Sequence, residues 1–456
     1  MDADVIVIGS GFGGSVCALR AGEAGLRVVV FERGHPMDDA AYDRLAEGRL
    51  PLFQRRNQPG LIDLKLLPGL ATVGGCAVGG GSHVYTGVTM RAPPEIFSSS
   101  WPRDLTVDAM QGLYDRVESM LRPAPIKVLP ARTRRMQEIG ERMGASATVL
   151  PLVMEPLQHG HGSSPTTLRC HVATWLRGGE GYRKRTLDTT YLAMAEASGV
   201  TTLTLHDAQQ IKPIDGGYRV TFRRFENGEW LPGDLTARRV VLSAGTMNTV
   251  KLLLSCRDEH RTLPRLSASL GERFYTNGDF GAMVVGLKLG LEHDDGPPVT
   301  SWVDCWKSDR LFLMETGAFL GGRVWSIAVM GFDESAGRLS LDHRGKLHHT
   351  AGRDPTHFHE ARVRRLHEFA SAAGGKLLLP PASVTRFKPT TVHPLGGARM
   401  ADYGDACVVD AHGEVHGYPG LFIADGSILP TPTGVPPSMT IAAVAEHVAE
   451  QLVRHA

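Results

Sequence analysis

Residues Val5 to Glu32 constrain this chain more than any other stretch. An apolar run, Val5-Ile6-Val7-Ile8, leads into Gly9-Ser10-Gly11-Phe12-Gly13-Gly14. A short β-branched run that ends in glycine reads as a buried strand. Ser15 to Ala24 contains no proline and fits a helix; Gly25 ends it, and Val28-Val29-Val30-Phe31-Glu32 reads as a second strand. The result is a β-α-β unit with G-x-G-x-x-G in its turn. Gly9 serves the tight turn, Gly11 the approach of a pyrophosphate, and Gly14 the packing of helix on strand. Free N–H groups at the helix start then bind phosphate, helped by the helix dipole. Glu32 closes the second strand about 20 residues past the turn, where a carboxylate accepts ribose hydroxyls. The pattern predicts dinucleotide binding and does not choose between FAD and NAD.

The rest of the chain has to complete a fold around this unit. Its 456 residues, 42% hydrophobic and 21% charged, suit a globular protein of two or three domains. A formal net charge of +1 gives no global field toward nucleic acid or an anionic membrane. No apolar run approaches the ~20 residues that span a bilayer. The first strand follows Met1 almost at once, without a basic region or cleavable apolar segment, so a cytoplasmic location is expected. Six scattered cysteines with no C-x-x-C pair read as reduced thiols.

Val78-Gly79-Gly80-Gly81-Ser82 offers a second backbone cradle, able to lie against a flat or anionic ligand because no Cβ blocks it. Val84 to Thr89 then reads as a strand. Trp101 to Leu121 has helical spacing, and Pro123, Pro125 and Pro130 mark a boundary. Leu187 to Ala197 is a helix candidate. Strands are expected at 201–205 and 209–213, with a hairpin turn at Gly216-Gly217 and a return over 218–225. Val240 to Thr246 is a buried strand ending in small residues, which suits close passage of a ligand. From 280 to 341, four strand-like runs suggest one antiparallel sheet. Glu360 to Ala373 is an amphipathic helix. Leu421 to Ile423 ends in Asp425-Gly426-Ser427, and a last helix runs from Thr440 to Val453. Nucleotide-type features thus stand at the start, middle and end. The predicted class is α/β: a discontinuous Rossmann-like nucleotide-binding domain (1–90, 184–275, 391–456) with an inserted substrate domain (91–183, 276–390) built on an antiparallel sheet with helices.

These stretches together resemble the glucose-methanol-choline (GMC) oxidoreductases, and within them the cholesterol oxidase branch. The similarity is carried by the first glycine loop, Val78 to Ser82, Lys184 to Tyr191, Leu242 to Thr246, Thr262-Leu263-Pro264, His393-Pro394-Leu395-Gly396-Gly397 and Asp425-Gly426-Ser427, in family order over most of the chain. The resemblance implies FAD rather than NAD. It implies that Gly9, Gly11, Gly14 and Glu32 hold the ADP half, and that Phe12 and Ala208 also bind the cofactor. Gly79, Gly80, Gly81 and Ser82 would pass the pyrophosphate and ring; Asp425 and Gly426 would reach the ribitol and flavin, and Ala244, Gly245, Pro436 and Ser438 would also bind the cofactor. It further implies hydride transfer from the CH–OH carbon of a fairly apolar alcohol, sterol-like, cyclic or a natural product, to flavin N5. The partner is then a small-molecule substrate.

His393 is the first candidate for catalysis. An imidazole titrates near neutrality and can take the hydroxyl proton as hydride leaves. Glu315, in the apolar run Phe312 to Thr316, is the second: burial would raise its pKa into the range of a usable base, and the cholesterol oxidase branch has a glutamate in a similar stretch. Three departures from the family stand out. Pro436 occupies the place of an expected Asn and brings neither amide nor N–H, which admits a flavin-containing lyase or double-bond isomerase as the alternative activity. Tyr85 stands where the loop usually has Asn and would narrow the substrate pocket. His83 lies one residue out of register with histidines that attach to flavin in some relatives, so non-covalent FAD is expected. His348-His349 and His357-x-His359 flank Arg353-Asp354-Pro355 without acids or Cys at ligand spacing, and no metal is expected there.

Overall fold

The β-branched runs near the amino terminus form the middle of a seven-stranded sheet. Its strands β1 (Ala3–Ile8), β2 (Val28–Glu32), β3 (Thr201–Thr204), β4 (His206–Ile214), β5 (Gly217–Glu226) and β6 (Glu229–Leu242) lie in the order β3-β2-β1-β6-β5-β4, and Leu421–Ile423 pairs with β6. In this computed structural model the described residues are 1–55, 57–97, 100–157, 168–287, 296–319, 322–352, 356–379, 390–402 and 407–454. The pairs β1–β2, β1–β6, β2–β3 and β6 with 421–423 are parallel, whereas β4, β5 and the long β6 form an antiparallel extension. Parallel strands are covered on both faces, and Val5, Ile6, Val7, Val240 and Val241 are fully buried. The helix Phe12–Glu23 covers one face and packs against the last helix, Ser438–Arg454.

The register places the chemistry at one edge. Ile8 pairs with Phe31 and Leu242, and Leu242 with Ile423. Gly9, Glu32, Ser243 and Ala424 therefore leave the sheet together at its carboxyl ends, where open α/β sheets bind ligands.

A second sheet holds β7 (Phe280–Val285), β8 (Ser301–Cys305), β9 (Leu311–Phe319) and β10 (Val324–Gly331), flanked by Lys376–Leu378 and Ser146–Val149. It is antiparallel throughout. One face packs Ala282, Val303, Leu313 and Ile327 against the helices Ala131–Arg142 and Thr356–Ala372. The other face gives Trp302, Phe312, Met314 and Met330 to the core shared with the first sheet.

Several expectations change. The helix expected from Trp101 begins at Val107, because Thr106 accepts from Ala109 N and caps it there. Val84 to Thr89 is not a strand. Gly79 is left-handed (φ 93°) and starts a tight helical turn, Gly80–His83, whose bonds run on to Tyr85. The segment 187–197 splits into a short turn, Leu187–Thr189, and a helix, Tyr191–Ala197. Arg338–Leu341 leaves the antiparallel sheet to pair with Leu347–Thr350, which carries His348 and His349. His357 and His359 lie in the helix Thr356–Ala372, and Arg353, Asp354 and Pro355 fall outside the described residues. None of the six cysteines forms a disulfide among the described residues. No helix among the described residues is long and apolar enough to cross a membrane.

Candidate functional site: a glycine-lined cradle beside an aspartate–histidine pair

Four loops meet at the carboxyl edge of the first sheet. A Cβ on Gly13 would stand 1.4 Å from Ala424 O, and one on Gly80 would stand 2.7 Å from Gly11 Cα, so these backbones touch. Ser10 links them: its hydroxyl donates to Glu32 Oε2 (2.6 Å) and accepts from Gly79 N (3.0 Å). Glu32 also accepts from Ser10 N and Gly34 N. At the far side Asp425 is tied down by four hydrogen bonds, from Gly245 N, Thr249 Oγ1, Ser427 N and Ser427 Oγ. Burial pushes Asp425 above the usual carboxylate pKa, against those bonds. Asp425 thus fixes the shape of the turn at Gly245 and Gly426.

The cradle fits a dinucleotide. A Cβ at Gly11, Gly81 or Gly245 would meet no atom within 4 Å, so each faces open space although its neighbours are packed. Ser438, at the start of the last helix, is 8% exposed, and its hydroxyl has no partner among the described residues. Backbone N–H groups at that helix start suit an anionic or oxygen-rich group. Phe12 and Tyr85 wall one side, their rings 5.6 Å apart. The Tyr85 hydroxyl donates to Arg185 O, which fixes the ring. Ser82 braces the second cradle, donating to Gly79 O and accepting from Leu187 N. Ala244 is held through its carbonyl by Asn248 Nδ2. Ala208 lies on β4 opposite Phe222, whose ring packs against Phe31, next to Glu32.

Behind the second cradle, His83 is 1% exposed and engaged at both nitrogens. Tyr42 OH is 3.0 Å from Nδ1, while Val78 O (2.7 Å) and Asp188 Oδ1 (3.1 Å) surround Nε2. Lys184 donates to His83 O and Tyr85 O, and burial pushes its ammonium down to about 7.

His393 reaches this cradle through its neighbours. Pro394 O accepts from Thr246 Oγ1 (2.6 Å), at the first residue of the helix beyond Gly245. A Cβ on Gly426 would press on both Thr246 and Leu395. The imidazole is held by Asp279, with Nδ1 2.8 Å from Oδ1. Asp279 Oδ2 accepts from Thr391 Oγ1, Val392 N and His393 N. The pair is mostly buried, with side-chain exposures of 16% for His393 and 8% for Asp279. Asp279 stands in a turn that Asn277 (φ 56°) and Gly278 (φ 67°) close with both angles positive, as Asn-Gly turns favour. Asn277 holds a further loop: Oδ1 accepts from Thr433 N and Gly434 N, and Nδ2 donates to Val435 O. One turn thereby clamps both the His393 loop and the loop that carries Pro436.

Sequence reasoning missed Asp279 and Asn277. Asn-Gly before an alternating strand signals a turn, but nothing local separates the acid after it from any other turn acid.

Glu315 is not brought to His393. It is in register with Ile327, which is in register with Ala282, and paired residues share a face. That face is the one packed on helices. The Glu315 carboxylate lies 3.3 Å from Arg132 Nε of the helix Ala131–Arg142, and Oε1 accepts from Thr300 and Ser301. Strand parity seats it opposite Arg132 and turns Met314, not Glu315, toward the first sheet.

The comparisons agree with the geometry. Residues 4–77 match a family model described as an FAD binding domain, and residues 334–445 match one described as GMC oxidoreductase. The chain is 28% identical to a cholesterol oxidase of Mycobacterium tuberculosis, over 98% of this chain and 90% of that one. It is 25% identical to a cholesterol oxidase of Acinetobacter baumannii, over 98% and 93% of the two chains. The fold matches the crystal structure of pyridoxine 4-oxidase from Mesorbium loti with a TM-score of 0.72 and 17% identity, over 98% of both chains. A glycine cradle at the carboxyl edge of the sheet, a held imidazole beside it and these full-length matches identify the chain as a member of the GMC oxidoreductase family, an FAD-dependent oxidoreductase acting on alcohols.

Proposed function

We propose that this enzyme oxidises a fairly apolar alcohol, sterol-like or otherwise cyclic, and that His393 accepts the hydroxyl proton. The observation that carries the reading is the His393 imidazole, anchored by Asp279 on one side and by the Pro394–Thr246 contact to the cradle on the other. FAD, when bound, supplies the acceptor for the hydride. Gly9, Gly11, Gly14 and Glu32 would hold its ADP half, Gly79 to Ser82 its centre, and Gly245, Gly426 and Ser438 its flavin end. Non-covalent binding suits a His83 whose two ring nitrogens are engaged within the protein.

An apolar substrate is supported by the sheet face that turns toward the core shared with the cradle. Phe312 stacks between Trp302 (3.9 Å) and Trp306 (5.5 Å), both at 13°. A Cβ on Gly434 would stand 2.5 Å from the Trp306 ring, so this aromatic row adjoins the loop of Pro436. Flat rings give contact area without demanding hydrogen bonds. The cholesterol oxidases among the relatives agree with a sterol-like shape.

Anaerobic mixing with a panel of sterols, aryl alcohols and cyclic natural-product alcohols tests the reading through loss of flavin absorbance. In His393→Ala the reduction rate should fall by about 10²–10⁴ while bound FAD is retained. An unchanged rate removes His393 from the chemistry. Product formed without bleaching replaces oxidation by a lyase or isomerase reaction.

A further inference from the structure

We propose that Asp279 is a positioning residue that sets the tautomer of His393, leaving Nε2 unprotonated toward the substrate hydroxyl; this rests on the reading of His393 as proton acceptor. An ionised carboxylate only accepts hydrogen bonds. With Asp279 Oδ1 at 2.8 Å, the His393 proton therefore belongs on Nδ1. The neutral ring then carries its lone pair on Nε2, which has no protein partner among the described residues.

The carboxylate itself cannot turn away. Thr391 Oγ1 and the N–H groups of Val392 and His393 all donate to Oδ2, so Oδ1 stays aimed at the ring. The last of these bonds ties the backbone of the histidine itself to the carboxylate that orients its side chain, and the other two tie the two residues before it. Ring and loop are thereby fixed by one group. A wrong tautomer would present an N–H to the substrate hydroxyl and could not take its proton.

Neighbouring groups make this the controlling contact. Within Thr390–Gly397 and Thr431–Ser438, His393 is the only titratable side chain. Pro436 brings neither a side-chain donor nor an N–H. The Asn277 amide is already spent on Val435 O and on the Thr433 and Gly434 N–H groups.

Asp279→Asn tests the assignment. The new side-chain oxygen can still accept from the Val392 and His393 N–H groups, while its NH₂ faces Nδ1 and forces the proton to Nε2. The expected loss in flavin reduction at saturating alcohol is about 10²–10⁴-fold, as for other carboxylate–histidine pairs so altered, with KM changed far less. A purely structural role would not predict the second readout, ¹⁵N NMR of the histidine-labelled, FAD-loaded protein at alkaline pH. There His393 of the native chain should show a pyridine-type Nε2, and Asp279→Asn a pyrrole-type Nε2. The native spectrum needs no variant, so a variant that fails to fold leaves the test intact. A protonated Nε2 in the native protein overturns the proposal, as does an Asp279→Asn variant with full activity. His393→Ala measured alongside separates the failures. If His393→Ala is active, the parent reading falls. If it is inactive while Asp279→Asn is active, only the role of Asp279 falls.

Discussion

Glu315 and His393 are both largely enclosed, and their surroundings differ: an arginine faces the first and a carboxylate the second. Glu315 meets Arg132 at 3.3 Å, and the two side chains are 2% and 3% exposed. Removing one charge of such a pair leaves the other buried, at a cost of about 3–5 kcal/mol. Glu315→Gln should therefore lower stability by that order in denaturant unfolding. Because Glu315 faces the helices, the flavin-reduction rate of the folded, FAD-loaded variant should stay within about twofold of the native value. A collapse in rate with unchanged stability would return Glu315 to the active site. His393 was legible because His-Pro-x-Gly-Gly is a local pattern. Asp279 was not, because its meaning depends on a partner more than a hundred residues away. The apolar run around Glu315 was read correctly as a strand, but a strand has two faces, and which one meets the ligand depends on the sheets around it.

At the scale of elements, the first turn holds two glycines with different reasons to be glycine. Gly11 has φ −71° and open space where a Cβ would stand. Gly13 would drive a Cβ to 1.4 Å from Ala424 O. Gly11→Ala should fold with a near-native melting temperature and, with the pyrophosphate where proposed, bind FAD at least about tenfold more weakly, since the methyl enters the open space beside the turn. Gly13→Ala should fail to accumulate as folded protein. Circular dichroism melts and FAD fluorescence titration separate the two, and a Gly11→Ala chain that binds FAD as the native one does would place the cofactor elsewhere. The β-α-β unit, the hairpin at 216–217 and the last helix were readable because period and punctuation are local. Ser146–Val149 and Lys376–Leu378 were not, since as short edge strands they exist only by pairing with Ser301–Asp304 and Met283–Val285.

In the whole molecule, the loops at 9–14, 79–82, 245 and 424–426 meet, so a cofactor bound where proposed would be held by the beginning, middle and end of the chain at once. Bound FAD should stabilise the fold as a unit, by about 2.7 kcal/mol at a hundredfold excess over Kd. Thermal melts of FAD-depleted and reloaded protein check this; a melting temperature indifferent to FAD would mean that the cradle does not bind it. The sequence by itself determined the glycine cradle and the dinucleotide class of its ligand, because glycine spacing and strand runs are short-range consequences of sterics and hydrophobic burial; FAD rather than NAD came only with the resemblance of many stretches in order. Only the tertiary structure decided which acid serves the imidazole and which serves the core. Sheet register sets the face of each side chain, and register is a property of paired strands that no single segment carries.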